Sequence, residues 1–192
     1  MSAERPAVTS IPGLPPKMAT VFEAFYETHQ VTWLRYAHAH VGGNAYAEEI
    51  VDAVTAQLVR TWEHALRQQS NVESYAWALL KTAVARWLAE HDTEPAFIQT
   101  SVFDRVVRTL AYSREQFGLM EESLGLYSAM LELPERQYDV IVLRYVLGYP
   151  DQRTAYLLGM DPQTVRSHIR FAKQKLARRF GIVYTAPGQD GG

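Results

Sequence analysis

Apolar residues in this chain return every three or four positions over long stretches, and no stretch alternates apolar and polar for the length of a strand. A chain patterned this way folds into helices that each bury one face. Val21–Val41 carries Val21, Phe22, Phe25, Tyr26, Trp33, Leu34, Ala37 and Val41 before Gly42-Gly43-Asn44 breaks the run. Ala45–Gln68 resumes it with Ile50, Val51, Val54, Leu58, Val59, Trp62 and Leu66. Gln69-Ser70-Asn71 is a polar turn, and Asn71 is placed to cap a third helix with Glu73 in its first turn. That helix, Val72–His91, carries Tyr75, Ala76, Leu79, Leu80, Ala83, Trp87 and Leu88. Together the three predict a small bundle around aromatic anchors.

Pro95 makes Glu94 a helix boundary. Ala96–Leu131 reads as a helical but less regular connector, and Leu133-Pro134-Glu135 opens a second unit. Its helices are expected at Glu135–Val146, Asp151–Leu158 and Pro162–Phe180. The predicted fold is all-α, with two small helical domains joined by a helical connector. Its divisions are a flexible leader at 1–17, a bundle at 18–94, the connector at 95–130, a second domain at 131–183 and a flexible tail at 184–192.

Composition narrows the chemistry. The 192 residues include no cysteine, which excludes disulfides, thiolate metal sites and cysteine nucleophiles and fits a cytoplasmic setting. Met1–Lys17 has one arginine, four prolines and no apolar core, unlike a secretory signal. No run approaches the ~20 apolar residues of a membrane helix, so no membrane partner is expected. His38 and His40 point to different sides of a helix, and His64 and His91 stand alone, so no metal site is expected. The chain has no glycine-rich phosphate loop, GxSxG or HExxH. Glu48-Glu49 and Glu121-Glu122 are adjacent on helices without a cleft to work in. The expectation is a non-enzyme without a cofactor.

The most informative stretch is Tyr149–Arg179. A short helix, Asp151–Leu158, ends at Gly159, the residue type that tolerates a left-handed backbone at a helix end. Asp161 is a suitable N-cap and Pro162 a suitable first helical residue. The next helix is expected to bury Val165, Ile169, Ala172 and Leu176. Short helix, glycine turn and longer helix make a helix-turn-helix, whose second helix enters the DNA major groove. From Gln163 to Phe180 there are six basic residues and no acid. Gln163, Thr164, Arg166, Ser167 and Arg170 can point away from the apolar stripe and suit base edges, whereas Lys173 and the later cations suit phosphates.

At these residues the chain resembles the extracytoplasmic-function (ECF) sigma factors, specificity subunits of bacterial RNA polymerase. In the C-terminal half the resemblance rests on Leu133-Pro134-Glu135-Arg136-Gln137, Val142-Leu143-Arg144-Tyr145, Thr154-Ala155-Tyr156-Leu157-Leu158-Gly159 and Thr164-Val165-Arg166-Ser167-His168. It implies a region 4 domain that binds the minus-35 promoter element and the flap of the polymerase β subunit. In the N-terminal half it rests on Ala47-Glu48-Glu49-Ile50-Val51-Asp52, Leu58-Val59-Arg60-Thr61-Trp62 and Ala76-Trp77-Ala78-Leu79-Leu80. It implies a region 2 domain whose Glu48, Glu49 and Asp52 meet the β′ clamp of core RNA polymerase. Glu48 and Asp52 do share a helix face.

One stretch departs from the family. After the third long helix its members carry a basic cluster for promoter DNA, where this chain has Ala89-Glu90-His91-Asp92-Thr93-Glu94. Acidic groups repel phosphates, so this end argues against strand separation. Trp77 or Trp87 could stack on a flipped base, but helical spacing favours the core for both. The formal net charge of −2 hides a segregation: Lys17–Glu94 holds 6 basic and 10 acidic residues, Pro134–Gly192 holds 9 and 5. The connector's Val102, Val106 and Leu110 share a helical face, which packs the domains together or, less favoured, docks an anti-sigma factor. The leading expectation is a sigma-factor-like transcription initiation protein. The alternatives are a sigma-like regulator that does not melt promoters, a LuxR-type helix-turn-helix regulator, and an interaction module without a DNA role. The LuxR alternative would bring a strand-containing receiver domain, and Val21–His91 shows no such alternation.

Overall fold

A computed structural model describes residues 13–67, 71–99 and 121–181. It contains helices and no strand among the described residues, which fall into two compact units divided between His91 and Asp92.

The first unit holds α1 (Pro16–Val41), α2 (Asn44–Arg60), α3 (Trp62–Arg67) and α4 (Val72–Glu90). Helix α1 begins five residues before the first apolar residue of its pattern, because Pro16 fits a first helical turn whose N–H groups have no intrahelical acceptor. It ends at Gly42, whose φ of 75° lets its N–H turn back to the His38 carbonyl. Three tryptophans, Trp33, Trp62 and Trp77, are fully buried with Leu58 and Leu80. Phe22 meets Trp62 edge-on at 4.9 Å, and Tyr36 meets Trp77 the same way at 4.7 Å. Such edge-to-face pairs add to the burial of the rings themselves.

The continuous helix expected over Ala45–Gln68 is interrupted. Thr61 leaves helical geometry (φ −109°, ψ 14°), and its hydroxyl donates to the Gln57 carbonyl at 3.1 Å. A threonine that bonds its own preceding turn bends a helix without glycine or proline. After the break Trp62 and Ala65 face the core, and Leu66 stands 45% exposed. Asn71 caps α4 as expected, accepting from the Ser74 N–H at 3.0 Å. Asn71→Ala is expected to cost about 1 kcal/mol, read as a lower denaturant midpoint at unchanged slope.

Helix α1 also buries two histidines, His29 and His40. His40 bonds the Tyr36 carbonyl through Nδ1 at 2.7 Å, and burial pulls its pKa down to about 4. Its folded-state value lies below the unfolded one, so its contribution is complete above pH 6.5 and is lost as pH falls from 6.5 to 4. Over that window the wild type is expected to lose about 3 kcal/mol more than His40→Phe, measured by urea unfolding at successive pH values. Equal losses would contradict this.

Among the described residues the second unit holds a 3₁₀ turn (Ala96–Gln99), α5 (Glu121–Leu131), α6 (Glu135–Ile141), α7 (Asp151–Leu158) and α8 (Pro162–Arg179). The 3₁₀ turn and α5 fall within the stretch expected as connector, yet they pack together here, with Phe97 edge-on to Tyr127. Val102, Val106 and Leu110 lie outside the described residues. Helix α6 runs into a π-helical turn, Val142–Val146, closed by the Leu147 N–H on the Val142 carbonyl at 2.9 Å. Val140, Ile141, Val142 and Leu143 are buried consecutively across this join, Leu157, Leu158, Val165 and Ala172 are buried too, and the helices that carry them pack on one another.

Candidate nucleic-acid interface

The helix-turn-helix is built as its local chemistry requires. Helix α7 closes at Gly159 (φ 63°), and the Met160 N–H bonds the Ala155 carbonyl at 2.9 Å. This left-handed cap turns the chain into α8. Pro162 occupies the first turn of α8. Asp161 stands at the N-cap with extended backbone, but its side chain makes no capping bond, contrary to the role expected for it. Its backbone carbonyl instead accepts from the Val165 N–H at 3.1 Å.

Val165, Ala172 and Leu176 of α8 are buried, and Ile169 only half-buried. The opposite face is open. Gln163, Thr164, Arg166 and Arg170 are exposed and Ser167 is half-buried. All but Arg170 line one shallow hollow at the start of the helix, together with His168 and Phe171. Phe171 is 46% exposed, and the Arg170 guanidinium lies 5.1 Å from its ring centre. The sequence reading missed Phe171. Its place four residues after Ser167 and eight after Gln163 puts it on the same side of the helix, and an exposed phenyl ring can contact a thymine methyl.

The cations further along α8 divide into two kinds. Lys173 is half-buried with its ammonium 5.2 Å from the Tyr145 ring centre, a cation–π contact more than a free phosphate grip. Lys175 and Arg178 are exposed. Arg179 meets Glu132 at 3.6 Å, but both side chains are 62% exposed, so the pair is weak. His168 is held below its usual pKa by burial first and by the Arg136 guanidinium second.

In the first unit Glu48, Glu49 and Asp52 are exposed on α2. Trp77 is 1% exposed and belongs to the core. Trp87 is half-buried in a stack on His91 at 4.0 Å, with Tyr46 at 5.1 Å. Glu90, Asp92 and Glu94, at the exit of α4, are exposed.

Residues 123–176 match the family model for sigma-70, region 4. The helix-turn-helix therefore lies within a stretch similar to sigma-70 region 4. The region 4 reading carried by Leu133–His168 is borne out in that match. Among solved structures the chain is similar to the complex of the sigma factor RpoE with the anti-sigma factor NepR from Bartonella quintana. That likeness has 15% identity and a TM-score of 0.39, covering 86% of this chain and 99% of the other. It is also similar to the RsbN-BldN complex, at 21% identity and a TM-score of 0.31, covering 83% and 91%. No curated protein matches the chain in sequence.

Proposed function

We propose that the protein is an ECF-type sigma factor, which joins core RNA polymerase and reads the minus-35 element of a promoter through α8. The observation that carries this reading is the region 4 match across a helix whose exposed face presents Gln163, Thr164, Arg166 and Arg170 with no acidic residue from Gln163 to Phe180. Such a face offers guanidinium and amide groups to base edges and leaves no carboxylate on α8 to repel phosphates. The exposed Glu48, Glu49 and Asp52 supply an acidic patch on α2 suited to the basic clamp of the polymerase β′ subunit. Region 4 would also meet the β flap, and an anti-sigma factor is a further candidate partner. In this reading the chain contributes recognition, and catalysis stays in the polymerase.

A pulldown of core RNA polymerase at low salt, followed by run-off transcription, tests the proposal. Retention of core and promoter-dependent transcripts are expected, and failure to bind core overturns it.

The acidic exit of α4 favours a second reading. Glu90, Asp92 and Glu94 are exposed where a promoter-melting domain would present positive charge. The chain would then be a sigma-like regulator that binds DNA and polymerase without opening the duplex. Permanganate footprinting separates the two, because an open bubble at a cognate promoter rejects the second.

A further inference from the structure

Asp151, the first residue of α7, divides its carboxylate between two guanidinium groups. Oδ1 lies 2.7 Å from Arg144 Nε, and Oδ2 lies 3.6 Å from Arg166 Nη1. Arg144 also donates through Nη1 to the Tyr149 carbonyl. The Arg144 and Asp151 side chains are 28% and 25% exposed, whereas Arg166 is 61% exposed. The π-helical turn Val142–Val146 carries Arg144, so the inner partner is set on packed backbone. The arrangement is graded: a short, sheltered pair inside and a longer contact to an exposed arginine outside.

We propose that Asp151, anchored by Arg144, is a positioning residue that aims Arg166 at one base pair. The proposal rests on the reading of α8 as the DNA-reading helix. A free arginine samples many rotamers, and ordering it on a base costs conformational entropy. A carboxylate held by its ion pair with Arg144 restricts that sampling before DNA arrives, which is preorganisation. The looser 3.6 Å contact leaves the rest of the guanidinium fork available to a guanine edge. The carboxylate also sets a negative charge beside the reading face, which costs phosphate attraction. Asp151 should therefore sharpen sequence preference without raising overall affinity.

The test is binding selection from randomised duplexes by the full-length protein, alone and with core RNA polymerase. Wild type, Asp151→Asn, Arg166→Ala and the double variant are compared. Arg166→Ala should flatten the preference at one base pair. Asp151→Asn should weaken the preference at that same base pair about tenfold, with non-specific affinity equal or higher. The double variant should be no flatter than Arg166→Ala alone, since the effects are coupled through one side chain. Asp151→Glu should restore part of the preference. If Asp151→Asn fails to fold, Arg144→Lys replaces it, keeping the charge but removing the Nε contact that holds Asp151, and should weaken the preference at the base pair that Arg166 reads. Unchanged preference in Asp151→Asn, sharper preference, or additive effects would overturn the proposal. A wild type without sequence preference in either state would overturn both this proposal and the DNA-reading role of α8.

Discussion

Arg166→Ala combined with Arg170→Ala is expected to weaken specific DNA binding by about 1–3 kcal/mol for each residue that touches a base edge. Both side chains are exposed on α8. They are four positions apart and lie on one side of the helix. Arginine is the side chain that best pairs with guanine O6 and N7, and truncation leaves those acceptors without their donors. Non-specific binding should fall much less, because Lys175 and Arg178 remain exposed to meet phosphates. The measurement is the affinity for cognate against scrambled duplex at two salt concentrations, since one salt value mixes the two contributions. A cognate affinity unchanged by the double substitution would favour an interaction module without a DNA role.

Trp77→Ala is expected to destabilise the first unit by about 3–5 kcal/mol, the cost of emptying a buried aromatic site. Trp77 is 1% exposed, and its ring meets Tyr36, which in turn lies 4.1 Å from His40. The loss is a large share of the ~5–15 kcal/mol that holds an ordinary domain together. Urea unfolding followed by far-ultraviolet circular dichroism checks it. Wild-type stability in this variant would revive the base-stacking role that the sequence left open for Trp77.

Legibility in the sequence followed the range of the interactions. The turn between α7 and α8 was readable because Gly159 and Pro162 act within a few residues of themselves. The exposed face of α8 was readable for the same reason, from helical spacing around Val165, Ala172 and Leu176. The break at Thr61 was not, since one hydroxyl bonded to Gln57 does what glycine or proline usually signals. The π-helical turn after Ile141 left no compositional mark, because no glycine or proline interrupts Val142–Val146 and the apolar run Val140–Leu143 can be buried in either geometry. The contact of Asp151 with Arg166 joins two different helices, and their approach depends on the packed core beneath them. Asp161 shows the converse: the residue type and backbone suit a cap, but side-chain orientation decides whether the bond forms.

The tryptophan anchors of the first unit have a spectroscopic consequence. All four tryptophans of the chain, Trp33, Trp62, Trp77 and Trp87, precede Asp92. Emission excited in the far red edge of the protein absorption band therefore comes from the first unit alone, while the helix-turn-helix is dark at that wavelength. Three of the four indoles are shielded from water, so unfolding should shift the emission strongly to the red. Tryptophan emission from the unlabelled chain thus follows the first unit, and comparing it with far-ultraviolet circular dichroism, which follows the helices of both units, gives the order in which they come apart.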